Sequence, residues 1–226
     1  MTEESLSKYL CATPTIEADH SSIAEFSLRH GVGDDAVAKA VALYYAVRDG
    51  IRYDPYTCNL SIAELKASAT LESGRGWCVS KAILLAACCR SLGIPARLGF
   101  ADVRNHLSTA RLRELMQTDV FHWHGFTSIH LLGLWVKATP AFNVELCEKF
   151  RLRPLNFDGT EDSIYHPFDL EGNRHMEYVR FRDEYADTPI AEIAVTFNRE
   201  YAYLRTDGSQ GNFDQEVERE TQPASR

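Results

Sequence analysis

The sequence predicts one α+β domain in which a buried helix packs against an antiparallel sheet. The helix is the segment Cys78–Leu92, which is apolar on nearly every side, as is typical of a helix inside a domain. The sheet is indicated by residues 121–132 and 134–138, two strand-like segments joined by a tight turn at Gly133. The 226 residues suffice to bury a sizeable core.

The remaining elements follow from apolar spacing and from turn residues. Asp35 is placed to cap a helix and Gly50 to end it, while Gly93 and Pro95 end the central helix. Further helices are predicted at 35–49, 61–67, within 104–119, at 143–150 and at 189–203, and further strands at 51–53, 96–103 and 176–181.

Three regions follow one another along the chain. Residues 1–34 are expected to form an N-terminal arm that packs on the core, and residues 35–205 form the main domain. Residues 206–226 are polar and lack a core-forming pattern, so we expect a mobile tail.

Composition excludes several classes of function. The apolar fraction of 45% and the charged fraction of 25% are ordinary for a soluble globular protein, and the net charge of −8 argues against binding nucleic acid. No apolar run is long enough to span a bilayer, so no membrane partner is expected. The acidic N-terminus lacks a signal-peptide pattern, which favours a cytoplasmic location with free thiols.

Cys78 is the candidate nucleophile because it occupies the first turn of the buried helix, after a glycine-rich loop. The positive end of the helix dipole is expected to lower the pKa of its thiol, and the free backbone amides to stabilise an oxyanion. The alternative is a packed core cysteine, the role expected for Cys88 and Cys89. His122 and His124 are candidate bases, and on a regular strand both would face the same side.

Four blocks of this sequence resemble the transglutaminase-like superfamily. They are Ala46–Asp54, Gly74–Cys78 with Leu92–Arg97, His124–Phe126 and Trp135–Asn143. The resemblance covers roughly residues 35–145 and implies a papain-like α+β fold in a small, bacterial-type member. No single block would identify the superfamily, but the four blocks together are a specific signal for it.

The resemblance implies that Cys78 is the nucleophile and His124 the base. Members of the family usually have an acid at the position that Thr139 occupies here. A threonine hydroxyl could accept a hydrogen bond from the imidazole, but it carries no charge and would stabilise an imidazolium less. Asn143, a little farther along, is an alternative orienting group.

Five further residues are expected near the reacting groups. Trp77 and Trp123 would wall an acyl-binding slot, although core packing is the more frequent role of tryptophan. Arg75 would face a substrate carboxylate or pair with an acid, Tyr53 is a candidate oxyanion donor, and His122 would contact substrate or support the base.

The expected function is acyl transfer through a thioester, with hydrolysis of an amide or peptide bond favoured over cross-linking. The substrate would be a peptide or a small amide, and no cofactor is expected. The alternative is a binding module that has kept the fold and lost the chemistry, which Thr139 would explain. A metal site at His122 and His124 is disfavoured because the sequence places no other ligand beside them.

Overall fold

The computed structural model describes residues 6–105, 108–164, 168–201 and 211–222. Its elements are α1 (Ser21–His30), α2 (Ala36–Gly50), β1 (Arg52–Tyr53), α3 (Ile62–Leu65), α4 (Ala67–Ser73), β2 (Arg75–Gly76), α5 (Cys78–Ser91), β3 (Ala96–Asn105), α6 (Ala110–Met116), β4 (Val120–Leu131), β5 (Leu134–Ala138), α7 (Val144–Lys149), β6 (Met176–Tyr185), α8 (Ile190–Glu200) and α9 (Phe213–Thr221). A 3₁₀ turn, Pro55–Thr57, follows β1. Within the described ranges, no helix has both the length and the apolar character that a membrane crossing requires.

Four strands form an antiparallel sheet in the order β5-β4-β3-β6. Strands β4 and β5 form the predicted hairpin, whose turn residues Leu132 and Gly133 both have positive φ angles of 51° and 83°. Two successive positive φ angles match the right-handed twist of paired strands. Separately, β1 and β2 form a short parallel pair that places Tyr53 beside Gly76, close to the start of α5.

Helix α5 is the centre of the core. Every residue from Cys78 to Arg90 is buried, as the apolar pattern predicts. The helix ends before Gly93, whose φ of 75° is the left-handed conformation expected after a helix. Thr127 of β4 donates a hydrogen bond from its hydroxyl to the carbonyl of Ala82 at 2.8 Å, so α5 lies directly on the sheet. The predicted fold class is confirmed.

The close approach of α5 to β4 depends on Gly125. A Cβ atom added there would lie 2.9 Å from Cα of Val79, a distance that such contacts do not reach. Because the obstacle is helix backbone, a side chain at this position would push α5 away from the sheet. Gly125 therefore keeps the first turn of α5 against the part of β4 that carries His124.

Lys81 holds together the segments around the start of α5. Its side chain is fully buried, and its ammonium group donates to the carbonyls of Arg48 at 2.9 Å, Ala141 at 2.8 Å and Ile51. Burial lowers the pKa of Lys81 well below its ordinary value, although the charge of Asp49 raises it. One side chain thus satisfies three buried carbonyls from two distant parts of the chain.

The N-terminal segment packs on this core. Helix α1 contacts α5, and Ile16 and Ile23 are fully buried. Arg90 of α5 donates to the carbonyl of Cys11 at 2.6 Å, and Lys66 pairs with Glu17 at 2.7 Å.

The C-terminal region differs from the expected mobile tail. Residues 213–221 form α9, and Phe213 and Val217 are buried in the main core. The sequence did not predict this helix because the face that packs on the core has few apolar residues. That face also includes a buried acid, Glu216. Residues 206–210 and 223–226 of the predicted tail lie outside the described residues.

We expect Lys81→Met to lower the free energy of unfolding by about 3 kcal/mol, because three buried carbonyls lose their donor. Lys39→Met on α2, where the lysine is only half-buried, should change it by less than about 0.5 kcal/mol. Urea denaturation of both variants measures the difference. Equal stabilities would show that the buried ammonium does not hold these segments together.

Candidate active site

Cys78 lies where β2 ends and α5 begins. Its side chain is nearly inaccessible, and backbone amides of Gly125, Val79 and Cys78 itself lie within hydrogen-bonding reach of the sulfur. Amides that converge on a nucleophile can also stabilise an oxyanion formed beside it. The amide of Gly125 was not predicted as a donor, because the only sign of it in the sequence is a residue without a side chain next to His124.

His124 lies on β4, opposite Ala101 of β3, and is 4% exposed. It lines the same cavity as Cys78, so the structure brings the predicted nucleophile and base to one site. His175, to which the sequence analysis gave no role, is also buried and is close enough to influence the charge of His124.

The cavity has a volume of about 40 Å³, which is room for a few water molecules. Apart from Cys78, His122 and His124, its walls are largely apolar and aromatic. They include Tyr53 and Cys58 near β1, Leu112 and Met116 of α6, and Phe197 and Tyr201 at the end of α8. Such a lining suits an uncharged group and keeps bulk water away from the sulfur.

A bulge interrupts β4 just before His124. Trp123 has a φ of 60°, and the pairing register with β3 shifts at Asp102, so that His122 and Trp123 together face this one residue. The regular alternation that predicted both histidines on one side therefore fails here. Both imidazoles nevertheless line the cavity.

Trp123 does not line the cavity, contrary to the expectation. Its indole Nε1 donates to the hydroxyl of Thr196 at 2.9 Å, and the guanidinium carbon of Arg182 lies 4.3 Å from the centroid of its ring. The positive φ angle at the bulge directs the side chain to these partners. Trp77 does line the cavity, as expected.

Within the described parts of the chain, neither predicted orienting residue forms a hydrogen bond with the imidazole of His124. Thr139 is buried, and its hydroxyl has no hydrogen-bond partner among the described residues, while its carbonyl accepts from the hydroxyl of Tyr44 at 3.2 Å. The side-chain oxygen of Asn143 accepts from the backbone amide of Tyr53 at 3.1 Å. Asn143 therefore fixes β1 rather than the base.

A buried acid that the sequence analysis missed lies beside His122. Asp102 is 6% exposed, and its Oδ2 is 3.4 Å from Nδ1 of His122. Burial alone would raise the pKa of Asp102, but hydrogen bonds from Arg182 and from the amide of Trp123 reverse this, and the pKa is lowered. The only signal in the sequence was one acid within the predicted strand 96–103.

Arg75 pairs with acids, which was one of its two expected roles. Its guanidinium lies 3.0 Å from Oδ2 of Asp214 and 3.6 Å from Oδ2 of Asp54. Asp214 belongs to α9, so this pair attaches the C-terminal helix beside the glycine loop. Tyr53 lines the cavity.

A family model described as the transglutaminase-like superfamily matches residues 25–140, just over half of the chain. The chain belongs to the transglutaminase-like superfamily. The resemblance recognised in the sequence is thereby confirmed, and within residues 25–140 lie Cys78, His124 and Thr139. Among the described residues of this superfamily member, no group of three or more His, Cys, Asp and Glu side chains is arranged to hold a metal ion.

One solved structure similar to this superfamily member is provisionally described as a cysteine protease from Cytophaga hutchinsonii. It shares 15% sequence identity, with a TM-score of 0.48 over 81% of this chain and 55% of that chain. This chain therefore spans about half the length of that protein. A search of curated proteins found no significant match.

In this transglutaminase-like site, the candidate nucleophile and base are both neutral near pH 7. Burial raises the pKa of Cys78 to about 11, although the nearby amides lower it. Burial lowers the pKa of His124 to about 4, and the charge of His175 acts in the same direction. The expected lowering of the pKa of Cys78 was wrong, because exclusion of water outweighs the helix amides.

The neutral His124 makes stability depend on pH. Below pH 6.5 the unfolded chain binds a proton at this residue that the folded protein does not bind until about pH 4, so stability falls as the pH falls between these values. We expect His124→Gln to reduce this loss by up to about 3 kcal/mol. Denaturant unfolding from pH 7 to pH 4 measures it, with His20→Gln on the surface as the control. A slope unchanged in His124→Gln would contradict the neutral state.

Helix α6 forms one wall of the cavity, and α9 is hydrogen-bonded to the start of α6. Leu112 and Met116 of α6 form part of its wall, and α9 fixes α6 through a carboxylate of Glu216. This buried carboxylate accepts from the hydroxyl of Tyr56 at 2.6 Å and from that of Thr109 at 3.1 Å. The C-terminal helix therefore determines how firmly α6 covers Cys78.

We expect Glu216→Ala to loosen α6 and to increase the rate at which iodoacetamide alkylates Cys78 by roughly tenfold, equivalent to about 1.4 kcal/mol. Peptide mapping separates Cys78 from the exposed Cys11. Glu218→Ala, an exposed acid on the same helix, is the matched control. Identical rates in the two variants would show that α9 does not control access.

Proposed function

We propose that this protein is a cysteine acyl-transfer enzyme that hydrolyses an amide or peptide bond. One observation carries the proposal: Cys78 begins a buried helix, has the amides of Gly125 and Val79 at its sulfur, and shares a cavity with His124. Nucleophile, oxyanion donors and base are the three parts that acyl transfer through a thioester requires. Membership of the transglutaminase-like superfamily supports the same reaction class.

The reaction starts from a neutral pair. Cys78 attacks the amide carbonyl while His124 takes the thiol proton, and the amides of Gly125 and Val79 stabilise the oxyanion. The carbon–nitrogen bond then breaks, and the amine leaves with a proton from a protonated histidine of the cavity. Water, deprotonated by the same imidazole, hydrolyses the thioester and restores the thiol.

A groove next to the cavity supports an uncharged peptide or small amide as substrate. The groove measures about 250 Å³ and shares Cys58 and Phe197 with the cavity, so it leads towards Cys78. Its other walls carry no charged side chain and consist of Asn59, Leu60, Ala194 and Asn198. A cavity with room for little more than water favours water over an amine as the acyl acceptor.

The second candidate function is a binding module. It is favoured by Thr139, which replaces the usual acid and has no hydrogen-bond partner for its hydroxyl in the described ranges. In that case the groove would bind a peptide without cleaving it.

We expect p-nitrophenyl acetate to acetylate Cys78, because an activated ester needs no specific recognition beyond the nucleophile and its oxyanion donors. Released p-nitrophenol and intact-protein mass measure the reaction, and peptide mapping locates the acetyl group. Cys78→Ala should abolish the acetylation at this site and the steady-state turnover. Cys11→Ala, which removes the exposed thiol, should leave both unchanged.

Turnover that persists in Cys78→Ala would refute the proposal. A folded wild-type protein that is never acetylated at Cys78 would favour the binding module instead.

A further inference from the structure

Besides His124, a second imidazole lines the cavity, that of His122. His122 is mostly buried, and its Nδ1 lies 3.4 Å from Oδ2 of Asp102, an ion-pair distance without the geometry of a hydrogen bond. Its Nε2 lies 4.0 Å from a carboxylate oxygen of Glu200 on α8. Its backbone amide donates to the hydroxyl of Tyr201 at 2.6 Å, which fixes this part of β4. The imidazole therefore stands between two carboxylates at the cavity wall.

Asp102 is held firmly in place. Arg182 of β6 donates to both of its carboxylate oxygens, at 2.7 and 2.9 Å, and the amide of Trp123 donates to Oδ1 at 3.1 Å. A forked guanidinium contact of this kind fixes the plane of the carboxylate. Asp102 can thus orient His122 without moving itself, and it balances the charge when His122 carries a proton.

The two histidines of the cavity have opposite surroundings. His124 is buried, and the imidazole of His175 lies close enough to disfavour its charged form. His122 has a fixed carboxylate on one side and the carboxylate of Glu200 on the other. Titratable groups that share a site but differ in environment in this way divide the acid and base roles between them.

We propose that His122, positioned by Asp102, donates the proton to the leaving group, while His124 accepts the proton of Cys78. As the carbon–nitrogen bond breaks, its electron pair leaves with the nitrogen, which takes the proton of His122. The attacking water then returns a proton to His122, and the imidazolium of His124 reprotonates the sulfur as the thioester bond breaks. The inference rests on the proposed acyl transfer and gives the site the histidine–acid pair that Thr139 cannot supply.

The test compares two acetyl esters that differ only in the leaving group. Nitrophenolate is a weak base and leaves without a proton, whereas the phenolate of phenyl acetate needs proton donation. We expect His122→Gln to slow the acetylation of Cys78 by phenyl acetate roughly 100-fold. The rate of acetylation by p-nitrophenyl acetate should change less than about twofold. A purely structural role for His122 would slow both esters alike.

Two further variants sharpen the test. Asp102→Asn keeps an oxygen that can accept from the amide of Trp123 but loses the negative charge. It should lower the rate with phenyl acetate relative to the rate with p-nitrophenyl acetate by roughly tenfold. His130→Gln, farther along β4 and packed on Trp135, is the matched control and should leave the ratio unchanged. Thermal unfolding of each variant shows that it is folded.

Each outcome decides one point. Failure of both esters to acetylate wild-type Cys78 would refute the proposed function itself. If the wild type is acetylated and His122→Gln leaves the ratio of the rates with the two esters unchanged, only the role of His122 is refuted. A wild type that reacts with p-nitrophenyl acetate but not with phenyl acetate would also refute that role alone. Loss of phenyl acetate reactivity in His122→Gln, with the nitrophenyl ester preserved, establishes it.

Discussion

The ammonium group of Lys81 joins the segments that surround the start of α5. Its three carbonyl partners come from the last turn of α2, the entry to β1 and the chain after β5. Burial disfavours the ammonium form of this side chain, and the three carbonyl oxygens that replace water around it offset part of that cost. The position of the first turn of α5, and with it that of Cys78, follows from this arrangement.

Exclusion of water is the second constraint, and it acts on structure and chemistry together. The same apolar walls that complete the core raise the pKa of Cys78 and lower that of His124, so both are neutral at rest. A neutral thiol is a poorer nucleophile than a thiolate, so the neutral state limits side reactions of Cys78. It also increases the importance of fixed dipoles, since the amides of Gly125 and Val79 act without screening by solvent.

Patterns that depend on neighbours in the chain predicted most of the fold. The apolar helix α5, the β4–β5 hairpin and the glycine after α5 all follow from local periodicity and backbone preference. The bulge at Trp123 could not be predicted, because a positive φ at tryptophan is imposed by tertiary contacts. Asp102 was missed for a related reason: its partner Arg182 lies on a strand distant in sequence.

The helix α9 is the last described element of the chain, yet it is the one that fixes α6 over Cys78. During synthesis the nucleophile, the base and the sheet all leave the ribosome long before Phe213 and Glu216 do. Until then Thr109, at the start of α6, lacks the carboxylate that accepts a hydrogen bond from its hydroxyl. The contact that holds α6 at the cavity wall is therefore completed by a segment translated after Cys78 and His124.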